Sequence, residues 1–226
     1  MTAGDALPER LEAVRRGIAD AAAEAGRSAD EISLIVVTKF HPPGLVRDLF
    51  ALGVTDFGEN RHQEAQAKAA ELADLDLTWH FIGQLQSKKA RQVRAYASVI
   101  HSLDRDSVVD ALASADSVVD CFVQLNLTDD PARGGVRDAD LEALTERVLS
   151  TSGLRLLGVM AVAPVGEEPR AAFARVRAAS ERVRVVAPAA SYISAGMSGD
   201  YREAVLEGAT HLRIGSAITG NRPTAG

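Results

Sequence analysis

SLIVVTK, residues 33–39, is the run from which the architecture is read. Leu34, Ile35, Val36 and Val37 place apolar side chains on both faces of an extended chain, the pattern of a parallel strand covered on either side. His41-Pro42-Pro43 then stops the strand, and Val46, Leu49, Phe50 and Leu52 recur at helical spacing. The unit is therefore a strand followed by a helix. Working outward, seven further strand-like runs follow: residues 55–60 (TDFGEN), 78–83 (TWHFIG), 98–103 (SVIHSL), 120–126 (DCFVQLN), 154–162 (LRLLGVMAV), 191–196 (SYISAG) and 211–215 (HLRIG). What separates them is helical in pattern rather than a hairpin turn, as in the stripe Leu141, Leu144, Val148 and Leu149.

Eight repeated βα units predict an α/β fold, a single (β/α)8 TIM-type barrel with an additional N-terminal helix. Such barrels typically need roughly 250 residues, so a chain of 226 leaves little room for insertions. Only about ten residues follow the eighth run, and residues 221–226 (NRPTAG) read as a loose tail, so the last unit lacks a full helix. The amphipathic stripe Leu7, Leu11, Val14 and Ile18 is expected to cover that gap. No Pro/Gly/Ser-rich linker divides the chain: residues 129–136 (DDPARGGV) and 164–169 (PVGEEP) are loop-sized, and one domain over 1–226 is expected.

Composition narrows the function. Hydrophobic residues make up 46% and charged residues 25%, and the net charge of −6 argues against a broad surface for nucleic acid or anionic lipid. The single cysteine, Cys121, allows neither an internal disulfide nor a cysteine-based zinc site, and no run is long and apolar enough to span a bilayer, so a reducing, cytoplasmic location is expected. His41, His62, His80, His101 and His211 show no paired metal-ligand spacing; most read as strand or surface residues, and no metal is expected. Neither a Walker-type nor a G-x-G-x-x-G phosphate loop is present, and Trp79, Phe81 and Met160 read as core.

Barrel active sites lie at the carboxyl ends of the strands, so polar residues closing apolar runs are the candidates. Lys39 closes the first. Flanked by apolar surface, its amine would be desolvated and made nucleophilic towards an aldehyde, which arginine cannot imitate. Only four of the 25 basic residues are lysines, Lys39, Lys68, Lys88 and Lys89. After the seventh run, Ser194-Ala195-Gly196-Met197-Ser198-Gly199-Asp200 leads into a helical stretch, with Ser198 as N-cap, and reads as an anion cradle. After the eighth, Arg213-Ile214-Gly215-Ser216 forms a second small-residue turn. Barrels commonly bind phosphate in these two places. Alternation sets Leu212 and Ile214 on one face and His211 and Arg213 on the other; an inward Arg213 would meet either a pyridine nitrogen or an inward acid such as Glu59. Asn60, closing the second run, offers an amide to ring substituents.

Taken together, Val37-Thr38-Lys39, Phe57-Gly58-Glu59-Asn60, residues 79–89 (WHFIGQLQSKK), Gly158-Val159-Met160-Ala161, Ser194-Ala195-Gly196-Met197-Ser198 and Arg213-Ile214-Gly215-Ser216 resemble, in order and spacing, the pyridoxal phosphate homeostasis proteins. The resemblance runs from the first strand to the last. It implies a barrel like the N-terminal domain of alanine racemase that binds pyridoxal 5'-phosphate (PLP) and serves vitamin B6 homeostasis rather than a demonstrated reaction. It further implies Lys39 as the Schiff-base lysine, Arg213 facing the pyridine nitrogen, and Ser198, Gly215 and Ser216 on the phosphate, with Ser194, Met197 and Asn60 lining the site. The partners it implies are PLP itself and PLP-dependent apoenzymes as recipients. A monomer is expected, since no exposed apolar stripe stands out. Three positions depart from the family pattern: Gln84 for a usual proline, Ala195 for a frequent methionine, and Arg133 where lysine is common. An arginine there keeps the charge but has no aldehyde chemistry.

Two enzyme readings compete. A racemase needs a second base, often tyrosine, and the only tyrosines are Tyr96, Tyr192 and Tyr201. A Schiff-base aldolase would use Lys39 on a sugar phosphate without cofactor, but would need an inward acid or base beside it, and no candidate stands out.

Overall fold

The computed structural model of the chain describes residues 7–128 and 130–220; the expected tail, residues 221–226, and Asp129 lie outside the described residues. Eight parallel strands follow one another around a closed barrel: β1 Ser33–Val37, β2 Asp56–Glu59, β3 Thr78–Phe81, β4 Val99–Leu103, β5 Val119–Gln124, β6 Leu154–Met160, β7 Tyr192–Ser194 and β8 His211–Ile214. Closure is made by β8 against β1, with Ser33 opposite His211 and Val36 opposite Ile214. The helices alternate with them: α1 Leu7–Glu24 ahead of β1, then α2 Pro43–Ala51, α3 His62–Glu71, α4 Ala90–Arg94, α5 Asp106–Leu112, α6 Leu141–Leu149, α7 Pro169–Val186, α8 Tyr201–Leu206 and α9 Ser216–Thr219. No described helix is long and apolar enough to cross a membrane.

The main core lies between barrel and helices, where outward strand residues such as Val36, Phe57, Val123, Val159, Leu212 and Ile214 meet Val46 and Leu49 of α2 and Phe173 and Val176 of α7. Each such buried side chain contributes roughly 1.5–3 kcal/mol. The helix after β8 is a single turn, and α1 packs on α8 and α9 in its place, burying Leu7, Leu11, Val14 and Ile18. Arg10 Nε ties the two together by donating to the Ile218 carbonyl at 2.6 Å. The expected role of the N-terminal helix is thus observed. One close approach depends on glycine: a Cβ on Gly158 would lie 1.8 Å from the Tyr192 carbonyl oxygen, so β6 and β7 pair only because none is there.

The barrel interior is unusual for this architecture, which ordinarily fills with branched apolar side chains. Val99, Phe122 and Met160 form a small inner cluster, but beside them lie His80, His101, Ser194 and Arg213, all buried. His80 and His101 are therefore interior strand residues, while Trp79 and Phe81 point outward into the main core.

Strand ends differ from the sequence reading by a residue or two, most consequentially at the first. β1 ends at Val37, although the Thr38 N–H still donates to the Gly58 carbonyl. Lys39 and Phe40 form a turn, with Phe40 at φ +69°, and Pro43 opens α2 at its first turn, where its missing N–H costs nothing.

Candidate functional site

Neighbouring strands β8, β1 and β2 bring the predicted residues to one mouth of the barrel. Lys39 follows the inward positions Ile35 and Val37 by alternation, one residue past the last strand bond. It is exposed, which corrects the expectation of an amine walled in by apolar surface: the chain has already turned away from the strand. What is fixed is the backbone on either side. Lys68 of α3, buried to 3% exposure, places Nζ 2.7 Å from the Thr38 carbonyl, Glu59 Oε1 and Glu64 Oε1. Glu64 Oε1 also accepts from the Phe40 N–H, and Thr38 Oγ1 donates to Glu59 Oε1 at 2.8 Å. A left-handed phenylalanine is strained by about 1 kcal/mol or more. This clamp, with the Arg61 guanidinium 4.6 Å over the Phe40 ring, holds it. Burial pushes the Glu59 carboxyl up, against the pull of Lys68 and Thr38.

Glu59 thus faces the helix layer and is not the partner of Arg213. Arg213 is 4% exposed inside the barrel and donates from one Nη to Ser194 Oγ at 2.6 Å and from the other to the Ala161 carbonyl at 2.9 Å. Burial pushes its pKa down to about 10, opposed by the charge of Asp200. Ser194 Oγ in turn meets His101 Nδ1 at 2.8 Å; His101 Nε2 meets His80 Nδ1 at 2.9 Å; and His80 Nε2 meets Asp56 Oδ1 at 2.9 Å. The string crosses the barrel from β8 to the first residue of β2. Burial holds His101 well below the usual histidine range.

The two small-residue turns meet directly. Ser198 does not cap α8, which starts at Tyr201 after Asp200; Asp200 Oδ1 instead accepts from the Met197 N–H at 2.6 Å. Ser198 Oγ reaches across and accepts from the Ala217 N–H of α9 at 3.2 Å. The correction has a plain cause: the turn after Gly196, at φ +93°, sends Ser198 towards β8 rather than along its own helix. Gly215 lies against the end of β1, where an added Cβ would sit 3.4 Å from the Val37 carbonyl oxygen. Ser216 and Met197 are exposed beside these turns. Asn60 lies across from them at the end of β2. Its Oδ1 is buried without a hydrogen-bond partner, an acceptor awaiting a donor. Among the predicted residues, Lys39, Asn60, Gly215 and Arg213 therefore cluster through β8, β1 and β2, with Ser194, Met197, Ser198 and Ser216 supplied by the adjoining turns.

Sequence reading missed the clamp residues Glu64 and Lys68 and the interior histidines. The second omission had a signal. Asp56, His80, His101, Ser194 and Arg213 are all polar residues at alternating positions opposite apolar neighbours, a pattern that five strands share.

Such an arrangement suits a phosphorylated heterocyclic aldehyde: an amine on a fixed backbone, small-residue turns for an anion, a buried guanidinium donor and unsatisfied amide oxygen. Comparison with known proteins agrees with it. The family model described as alanine racemase, N-terminal domain, matches residues 10–223. A pyridoxal phosphate homeostasis protein of Corynebacterium glutamicum is 39% identical over 213 residues, covering 89% of this chain and 96% of that protein. One of Escherichia coli is 33% identical over 226 residues, covering 96% and 97%. PipY of Synechococcus elongatus, solved with PLP bound, superposes at a TM-score of 0.83 with 35% identity, covering 95% of this chain and all of PipY. Alanine racemase of Corynebacterium glutamicum, at 15% identity and a TM-score of 0.67 over 92% of this chain and 60% of that one, shares the fold.

Proposed function

Because the chain belongs to the family of pyridoxal phosphate homeostasis proteins, we propose that it binds PLP at the Lys39 mouth of the barrel and serves PLP homeostasis as a carrier rather than as an enzyme. The observation that carries the reading is the convergence, on adjoining strands, of Lys39 with its clamped backbone and the buried donor Arg213. When bound, PLP supplies an aldehyde that condenses with an amine and a ring that withdraws electrons. Lys39 Nζ would hold the aldehyde carbon as a Schiff base, with the carbonyl oxygen released as water. Ser198, Gly215 and Ser216 would hold the phosphate, the Asn60 amide would hydrogen-bond a ring substituent, and Ser194 and Met197 would line the pocket.

Arg213 would offer the ring nitrogen a donor, favouring its unprotonated form and a weak electron sink, which suits a carrier. A second base for racemisation has no candidate among the tyrosines. Tyr192 is the first residue of β7, at the opposite mouth; Tyr201 sets its hydroxyl against Gly17 of α1; and Tyr96 stacks on His62 in the helix layer. Residues 1–226 act as one PLP-binding unit, a cytoplasmic monomer that passes cofactor to PLP-dependent apoenzymes. Arg133, exposed in the loop after β5, contributes charge and no imine chemistry to that transfer.

The test is the absorption spectrum with added PLP, before and after borohydride, for wild type and Lys39→Ala, with mass spectrometry to locate the adduct. A visible band that reduction traps on Lys39, and that Lys39→Ala loses, is expected. A colourless, unmodified wild type would overturn the reading and bring forward a cofactor-free aldolase.

A further inference from the structure

The string of side chains from Arg213 to Asp56 runs one way when His80 is neutral. Arginine only donates and an ionised carboxylate only accepts. Asp56 Oδ1 takes the proton on His80 Nε2, and Thr55 Oγ1 donates to Oδ2 at 2.8 Å. A neutral His80 then presents Nδ1 as an acceptor, which requires the proton of His101 on Nε2. His101 Nδ1 is left as an acceptor and takes the Ser194 hydroxyl hydrogen, while Ser194 Oγ accepts from Arg213. Every group is satisfied, every separation is 2.9 Å or less, and all donors point the same way. The aligned dipoles turn their negative ends towards the guanidinium and their positive ends towards the carboxylate, so both buried charges gain.

We propose that Asp56, His80, His101 and Ser194 are positioning residues, a one-way hydrogen-bond relay that fixes the orientation of the Arg213 guanidinium inside the barrel and so the donor it offers to a bound ring nitrogen. The inference rests on the PLP reading above, but its geometry belongs to the protein alone.

Two measurements test it. In the protein without PLP, labelled-imidazole 15N spectra read the tautomers directly. Both His80 and His101 are expected neutral with the proton on Nε2. An Nδ1–H tautomer at either ring, or an imidazolium at His80 paired with Asp56, would overturn the relay. In the presence of PLP, His101→Leu is expected still to form the adduct on Lys39, with a displaced visible band and affinity lowered roughly tenfold, the scale of one hydrogen bond to a charged group. Ser194→Thr, which keeps the hydroxyl, is expected to retain the wild-type spectrum where Ser194→Ala does not. An unchanged spectrum and affinity in both His101→Leu and Ser194→Ala would overturn the proposal. The tautomer spectra keep it falsifiable if His101→Leu fails to fold. A wild type that binds no PLP would instead overturn the functional reading, and with it the relay's role, while the tautomers stand as a feature of the apoprotein.

Discussion

At Lys68 a single ammonium organises the site without touching its ligand face. Its three oxygen partners come from β2, from α3 and from the Thr38 backbone, and one of them, Glu64 Oε1, also accepts from the Phe40 N–H. Removing the charge strands Glu59, which is 1% exposed, beside Glu64. Lys68→Met is therefore expected to cost about 3–5 kcal/mol, the scale for breaking one side of a buried ion pair, read as a lower urea midpoint. Adding Glu59→Gln should recover part of that loss, whereas a purely steric defect would not be recovered. Trapping of PLP on Lys39 should fall in the single variant, because the turn that carries the lysine is no longer held. Lys39 and Arg213 were legible in the sequence because alternation along one strand settles where each points. Lys68 was not: its partners lie up to 30 positions away, and only the packing of α3 on β1 and β2 brings them together.

Between β7 and α8 the decisive feature is a turn rather than the short helix. Gly196 sits at φ +93°, and a Cβ there would lie 2.8 Å from Ala204 Cβ and 3.0 Å from Leu212 Cδ2. Gly196→Ala is expected to cost about 1–2 kcal/mol of stability and to shift Ser198 off the Ala217 N–H. Affinity for PLP should drop several-fold while affinity for pyridoxal, which lacks the phosphate, stays near the wild-type value. Equal losses for both ligands would show that the turn does not serve the phosphate. The sequence announced this element through its small residues. It misassigned Ser198 because an N-cap is a local rule, and here a hydroxyl prefers a backbone donor from the next βα unit.

Across the whole molecule, a polar barrel interior has a consequence for acid stability. Burial pushes His211 down to about 4. An unfolded histidine takes up its proton near 6.5, so between the two values the unfolded chain binds more protons and stability rises with pH. Buried His101, also lowered, adds in the same direction. Stability to urea is expected to fall as pH drops from about 6.5 towards 4, by on the order of 2 kcal/mol from His211, and His211→Gln should flatten the slope. A slope unchanged by the substitution would assign the loss to other groups. The order of eight strands, the closing role of α1, the mouth at which Lys39 lies and the inward face of Arg213 were all determined by the sequence, since they follow from periods of 2 and 3.6 that each segment carries by itself. The clamp around Lys39, the bridge from Ser198 to α9 and the relay through His80 and His101 were decided only by the tertiary structure. Each joins groups from different βα units, and barrel closure, not local propensity, sets the distances between them.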